Sequence, residues 1–150
     1  MIQIDLAIYN RSRQLVLTTE IKTMLGVSTE WASQLRRNIL AHGGYPIAPY
    51  FLLATPDKFF LWVKENNGLK ATNPDYVEDA ADVLKPYFNE FSATPADVSG
   101  FIFEQIVLRW LKSIMYPEFE DTKAAAPDWI TQSGLSEAIL QGDFFLEQAA

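Results

Sequence analysis

The sequence predicts an α+β domain in which strands of one sheet come first and helices dominate the second half. Two segments near the start alternate apolar and polar residues with a period of two, as strands with one buried face do. A segment with apolar residues every four positions follows, and two short, strongly apolar runs come after it. Beyond about residue 75 the spacing of apolar residues indicates helices.

The first two strands are expected at residues 2–9 (IQIDLAIY) and 15–22 (LVLTTEIK), joined by a polar turn. An antiparallel pairing that sets Ile8 opposite Leu17 makes the apolar faces of the two strands coincide. A slip of one residue would set apolar side chains against polar ones. The same register predicts that Asp5 lies opposite Glu20.

A helix is expected from the caps Ser28 and Thr29 to about His42, where Gly43-Gly44 ends it. Its predicted buried stripe consists of Trp31, Leu35 and Ile39. Two further strands, 50–55 and 59–63, are expected on either side of a turn at Pro56-Asp57-Lys58.

The second half is predicted to be helical, at about 75–91, 95–115 and 127–140, with Pro86 breaking or bending the first helix and Pro95 starting the second. The segment 98–115 is the most apolar, so it should either pack centrally or contact a second copy or another protein. The expected organisation is an α/β core over 1–64, a loop over 65–75 and a helical half over 76–150 that packs on the core as a single domain.

Composition narrows the function classes. The chain has 150 residues and no cysteine, which excludes disulfides, thiol nucleophiles and thiolate metal sites. Its one histidine, His42, excludes a multi-histidine metal centre. With neither a signal peptide nor a membrane-spanning run, the expectation is a cytoplasmic protein.

Charge is distributed unevenly along the chain. Residues 1–70 hold 8 Lys or Arg against 5 Asp or Glu, and residues 71–150 hold 4 against 14, so balances of +3 and -10 sum to -7. The first half could approach a phosphate backbone. The second half would be repelled by one unless it faces away.

Asp5, Glu20 and Lys22 are the candidate catalytic residues. Hard divalent cations prefer carboxylate oxygens, and two carboxylates on neighbouring strands can hold such an ion against a phosphodiester. Lys22, two residues after Glu20, projects from the same strand face, where it can orient water or neutralise charge on phosphorus.

An aspartate, a gap of about fifteen residues and then Glu-x-Lys, on a hairpin followed by a helix, resembles the PD-(D/E)xK or restriction-endonuclease-like nuclease superfamily. The matching residues are Ile4-Asp5 and Glu20-Ile21-Lys22, with Ile4 in place of the usual proline. The segment from Trp31 to Trp62 is also similar in character to uncharacterised cyanobacterial members. The resemblance covers roughly residues 1–64.

The resemblance implies metal-dependent phosphodiester hydrolysis of DNA. Asp5 and Glu20 would bind Mg²⁺ or Mn²⁺, Lys22 would assist the nucleophilic water, and Gln34 would be a supporting polar catalytic residue. That superfamily usually places a helix and a strand before the aspartate strand. In this sequence, the helix at 95–115 could fill the helix position and bring Glu104 near Glu20.

Four arginines are candidates for contacts with nucleic acid. Arg11 and Arg13 lie in the predicted hairpin turn, where a phosphate contact competes with an ordinary turn role. Arg36 and Arg37 are adjacent on a helix and point about 100° apart, so at most one of them should face the site.

Two other functions stay open from the sequence. The first is a catalytically inactive nuclease-like fold that binds or regulates a protein partner through its acidic helical half. The second is an acidic interaction protein of unrelated fold, which predicts that Asp5 and Glu20 lie far apart. An ordinary ion pair on an exposed sheet face would also account for the three residues. Against the ion pair, two facing carboxylates repel each other unless a cation lies between them.

Overall fold

The computed structural model describes residues 4–63, 73–119 and 126–146 of the chain. Six strands form one mixed sheet: β1 Leu6–Tyr9, β2 Leu15–Ile21, β3 Tyr50–Ala54, β4 Lys58–Val63, β5 Tyr76–Asp79 and β6 Asp143–Leu146. Their order across the sheet is β5-β4-β3-β2-β1-β6; β2 and β3 run parallel, and the other neighbours run antiparallel. The predicted α+β class is confirmed.

Within residues 4–63, 73–119 and 126–146, five α-helices accompany the sheet: α1 Thr29–His42, α2 Ala81–Glu90, α3 Gly100–Met115, α4 Asp128–Gln132 and α5 Leu135–Ile139. A short 3₁₀ segment, Pro117–Phe119, follows α3. None of the described helices combines the length and the apolar character needed to cross a bilayer.

The predicted hairpin register is confirmed for Leu6 to Ile8. Leu6 pairs with Thr19 and Ile8 with Leu17, the register that points to Asp5 opposite Glu20, and it shifts by one residue at Tyr9, which pairs with Leu15. The first strand is shorter than predicted, since β1 begins only at Leu6. The chain bends at Asp5, whose Oδ2 accepts a 2.8 Å hydrogen bond from the Ile21 amide.

The bend at Asp5 changes which face the preceding residue occupies. Unbroken alternation predicts Ile4 on the same face as Leu6, but Ile4 packs against the cluster beneath α1, whereas Leu6 belongs to the core beneath α3. The Ile21 amide donates to the Asp5 side chain instead of to a backbone carbonyl, and the alternation of β1 does not extend beyond this point.

The helix after the hairpin also agrees with its sequence signals. Ser28 caps α1 by accepting a 3.0 Å hydrogen bond from the Trp31 amide, and Gly43 ends it with φ of 70°. The predicted stripe was wrong at Trp31, which is 36% exposed. The buried side of α1 instead runs through Ala32 and Ile39, with Leu35 partly buried between them.

The two faces of the sheet carry different helices. The face here called the α3 face includes Leu6, Ile8, Leu17, Leu52, Phe59 and Leu61, and helices α2 to α5 cover it. Phe59 stacks on Trp110 of α3 with ring centroids 4.4 Å apart. The prediction that 98–115 packs centrally is confirmed, because eight residues of α3 are buried.

The opposite face, here called the α1 face, is covered in part by α1. Phe51, Leu53, Phe60 and Trp62 pack there against Val27, Ala32, Ile39 and Tyr45. Thr18 and Glu20 of β2 point to this same face, because Thr18 pairs with Phe51 and Glu20 with Leu53.

The second half is less helical than predicted. The helix expected at 75–91 is a strand, β5, followed by α2, which runs through Pro86. The helix expected from Pro95 begins at Gly100, after the Ser99 cap. The helix expected at 127–140 is divided into α4 and α5 at Gly134, which has φ of 84°. Of the predicted loop 65–75, residues 65–72 lie outside the described residues.

Strand β6 was not predicted, and it completes the sheet beside β1. The Gln141 amide donates a 2.8 Å hydrogen bond to the Met115 carbonyl at the end of α3, and the Tyr116 hydroxyl donates to the Gly142 carbonyl. A Cβ on Gly142 would lie only 2.2 Å from the Tyr9 carbonyl oxygen. Glycine therefore allows the last strand to approach β1 closely.

Candidate carboxylate site

Two carboxyl groups meet where β1 begins and β2 ends. Glu20 is only 7% exposed, and Asp5 is close enough to raise the pKa of its carboxyl. The Asp5 oxygen Oδ2 holds the Ile21 amide. The structure therefore brings the two predicted acids together, and the alternative in which they lie far apart is wrong.

The environment of Glu20 favours its protonated form. The pKa of Glu20 is raised from 4.5 to about 8, first by burial and then by the hydrogen bond with Asp5 and the negative charge of Asp5. The ammonium group of Lys22 and the hydroxyl of Tyr45 act in the opposite direction on this pKa. The net effect of these surroundings on Glu20 is a raised pKa.

Lys22 lies one residue beyond β2, where its amide donates a 3.0 Å hydrogen bond to the Ala54 carbonyl of β3. This bond extends the β2–β3 pairing by one residue and holds the backbone of Lys22 in place. The charge of Lys22 acts directly on the Glu20 carboxyl, as the effect on the Glu20 pKa shows. Asp5, Glu20 and Lys22 thus form one charged cluster.

Tyr45 closes the cluster from the α1 face and was not singled out by sequence reasoning. Its ring packs edge-on against Phe51, and burial beside the negative charge of Glu20 raises the pKa of its hydroxyl. The hydroxyl lies close to Glu20 and Thr18 but, among the described residues, has no partner at full hydrogen-bond geometry. It is a buried polar atom directed at the carboxyl pair.

Of the two adjacent arginines on α1, Arg36 faces the sheet. Its guanidinium carbon lies 4.4 Å from the centroid of the Phe51 ring. Burial lowers the Arg36 pKa, and the nearby Tyr45 opposes that effect. Arg37 is exposed and donates a 2.8 Å hydrogen bond to Gln34.

Glu104 approaches the pair from the other face of the sheet. It is a half-buried residue of α3, and its pKa is raised first by burial and then by the negative charge of Asp5. The hypothesis from the sequence that the helix at 95–115 brings Glu104 near Glu20 stays a prediction, supported by the effect of Asp5 on the Glu104 pKa.

The structure does not bring the remaining predicted residues to the pair. Gln34 is exposed, and its amide is hydrogen-bonded to Arg37 and Asn38 of the same helix. Arg11 and Arg13 lie in the exposed turn between β1 and β2, at the opposite end of the hairpin from Asp5. A strand rise of about 3.3 Å per residue puts that turn roughly 17 Å from Asp5.

Across residues 4–63, 73–119 and 126–146, no group of three or more His, Cys, Asp or Glu side chains is arranged as a ready metal site. The donors that do converge are the hard oxygens of Asp5 and Glu20. One or two carboxylates with water and substrate oxygens are the usual protein contribution to a magnesium site. The pair therefore fits a hydrated divalent cation better than a closed structural metal.

The sequence contains only a weak signal for Tyr45, the site residue that sequence reasoning missed. Tyr45 follows Gly43-Gly44, and its return beneath α1 depends on a turn whose direction the sequence does not specify. Arg36, by contrast, was named from the sequence as one of two adjacent arginines of which at most one should face the site.

Comparison of the chain with protein-family models, with curated proteins and with solved structures finds no match.

Proposed function

We propose that this protein is a metal-dependent nuclease that hydrolyses phosphodiester bonds in DNA at the Asp5–Glu20 pair. The single observation that carries the proposal is that a buried Glu20 lies beside Asp5, whose carboxylate is held by the Ile21 amide, with Lys22 two residues further along the chain. Two acids held this close are costly for stability alone, because burial and like charge both oppose ionisation. Such an arrangement is typical of a functional site.

Each side chain has a role that its position supports. Asp5 and Glu20 would hold Mg²⁺ or Mn²⁺, and Asp5 is fixed for this by its bond to the Ile21 amide. When bound, the ion supplies Lewis-acid chemistry to a phosphodiester. Lys22 would orient the attacking water or stabilise negative charge that develops on the phosphate.

Tyr45 and Glu104 would act on the two acids rather than on the substrate. The Tyr45 hydroxyl lowers the pKa of Glu20, which favours the ionised form that a cation requires. Glu104 would add a negative charge from the opposite side, near Asp5. Tyr45 and Glu104 would therefore be positioning residues, which act through Asp5 and Glu20.

The order of elements supports a restriction-endonuclease-like interpretation. An antiparallel hairpin carrying Asp5 and Glu20 is followed by α1 and then by β3, which is parallel to β2. In that superfamily a helix and a strand usually precede the aspartate strand. Here α3, with Glu104, and β6, beside β1, would take these places from the C-terminal side.

A cleavage assay with purified protein tests the proposal. Labelled single-stranded and double-stranded DNA are incubated with Mg²⁺, with Mn²⁺ and with EDTA. We expect cleavage only with metal, and a loss of about 100-fold or more for Glu20→Gln and Lys22→Ala. Glu137→Gln, which changes an exposed acid on α5, should cleave like the wild type.

The alternative of an inactive fold that binds a protein partner makes the opposite prediction. Metal would then have no effect, and wild type and Glu20→Gln would be equally inert on every DNA form. The folded state of each variant is checked by circular dichroism, so that a loss of cleavage can be attributed to the site.

A further inference from the structure

An aromatic pair, formed by a half-buried Tyr9 and an exposed Phe145, lies on the same sheet as the carboxyl pair. Phe145 of β6 is 60% exposed, and its ring meets that of Tyr9 in β1 edge to face, with centroids 5.3 Å apart at 88°. Phe101 and Phe119 are more exposed than Phe145, but Phe145 pairs its ring with a second aromatic ring on the same sheet face.

The register places both rings on the same face as Glu20. Phe145 pairs with Ala7, and Ala7 pairs with Thr18, which is two residues before Glu20 on β2. Alternation along β1 then puts Tyr9 on that face too. The cluster beneath α1 draws its sheet residues from β3 and β4, so the β1–β6 part of the α1 face stays open in the described residues.

Chemically distinct groups follow one another along the hairpin. Tyr9 is four residues beyond Asp5, about 13 Å at the rise of a strand. Arg11 and Arg13 come next, exposed in the turn. A path along this face therefore passes from the carboxyl pair to the aromatic pair and then to two cations. One acid, Asp143, lies beside Tyr9 on β6.

We propose that Tyr9 and Phe145 form a stacking platform for a base of single-stranded DNA whose backbone runs from the carboxyl pair to Arg11 and Arg13. This proposal rests on the proposed function and names the form of its substrate. Unpaired bases expose the flat surfaces that stack on aromatic rings, whereas a duplex hides them. The two arginines complement the phosphates beyond the stacked base.

The charge distribution favours DNA over a protein partner on this face. Helices α2 to α5 of the acidic half cover the α3 face, on the other side of the sheet. The open part of the α1 face lies instead between Lys22 and the two turn arginines. A polyanion that runs along this face therefore meets Lys22 beside the two carboxyl groups at one end and the two turn arginines at the other.

Binding without cleavage tests the platform. Fluorescence anisotropy of a short labelled oligothymidylate is measured in EDTA with wild-type protein, Phe145→Ala and Phe145→Trp. We expect Phe145→Ala to weaken binding roughly 10-fold, since stacking of one base is lost, and Phe145→Trp to retain it. An abasic strand with the same phosphates should bind the wild type and Phe145→Ala equally weakly.

Phe119→Ala is the matched control. Phe119 is 78% exposed but lies after α3, so its loss should leave the affinity unchanged. Equal binding of the oligothymidylate by wild type and Phe145→Ala would overturn the platform, as would tighter binding of the duplex. A dimer that Phe145→Ala converts to a monomer, measured by analytical ultracentrifugation, would also overturn it and assign the rings to an interface between copies.

Failure of the platform and failure of the proposed function give different results. If the platform is wrong and the nuclease is right, Glu20→Gln abolishes metal-dependent cleavage while Phe145→Ala binds and cleaves like the wild type. If the nuclease is wrong and the platform is right, Phe145 governs binding of the oligothymidylate while no protein cleaves it.

Discussion

At the scale of single residues, Glu20 determines the character of the site. It lies among apolar neighbours, touches Asp5 and carries a pKa of about 8 instead of 4.5. The sequence was sufficient to predict this pairing, because the apolar faces of the two strands coincide in only one register. It was not sufficient to predict the protonation, which depends on how deeply the folded chain buries the carboxyl.

The raised pKa has a consequence for stability. Because the folded protein holds a proton on Glu20 up to about pH 8 and the unfolded chain releases it near pH 4.5, the native state binds more protons between these values. The stabilisation is complete below pH 4.5 and is lost as the pH rises to about 8. Glu20→Gln removes the titrating group and should remove this loss.

Urea unfolding of both proteins without metal measures the effect. Between pH 5 and pH 8.5 the wild type should lose roughly 2 to 4 kcal/mol of unfolding free energy relative to Glu20→Gln. Two pH profiles that run parallel would mean that Glu20 is ionised in the folded protein.

Tyr45 and Arg36 show the limit of residue-level prediction. Both face the sheet beneath α1, yet the helical period suggested Trp31 and Gln34 near that position. Trp31 and Gln34 are exposed instead, because the buried side of α1 follows Ala32 and Ile39. A rotation of the helix by less than a third of a turn separates the two arrangements, and packing against the sheet decides it.

At the scale of elements, segments with local signals were predicted well and segments defined by distant partners were not. The hairpin, α1, β3 and β4 have alternation, caps or turns that the sequence displays. Strand β6 is four residues long and contains two consecutive phenylalanines, so its period of two is hidden. Its place beside β1 depends on a contact across almost the whole chain.

The close approach of β6 to β1 predicts a sensitive position. Gly142→Ala would place a Cβ 2.2 Å from the Tyr9 carbonyl, so the strand must move away. We expect a loss of about 1 to 3 kcal/mol, the usual cost of overpacking, and faster amide exchange in β6. Chemical denaturation and hydrogen exchange measure the two effects.

Gly44→Ala provides the control for that substitution. A Cβ at Gly44 meets no atom within 4 Å, so this variant should unfold like the wild type. Equal stability of the two variants would show that β6 does not need the close contact at Gly142.

At the scale of the whole molecule, the sheet separates two surfaces. The acidic half of the chain forms the helices of the α3 face, and the basic first half supplies the turn and α1 on the other side. The charge imbalance along the sequence thus becomes an imbalance between faces. The sequence predicted that the acidic half had to face away for DNA to approach, and the described helices of that half pack on the α3 face.

The site itself is a product of the whole fold. Asp5 and Glu20 come from the hairpin, Tyr45 from the segment after α1 and Glu104 from α3, on the far side of the sheet. The sequence could place Glu104 near the pair only on the assumption that the helix at 95–115 fills the position of the helix that usually precedes the aspartate strand in the restriction-endonuclease-like superfamily. Strand pairing alone located the two acids.

The central claim is that Asp5 and Glu20 together hold a divalent cation. Titration with Mn²⁺ at pH 8.5, followed by electron paramagnetic resonance of the free ion, tests it most directly. The account predicts one saturable site per chain in the wild type and in Glu137→Gln, and loss of that site in Glu20→Gln and Asp5→Asn. A wild-type protein that binds no Mn²⁺, or a Glu20→Gln variant that binds it as tightly as the wild type, would contradict the claim.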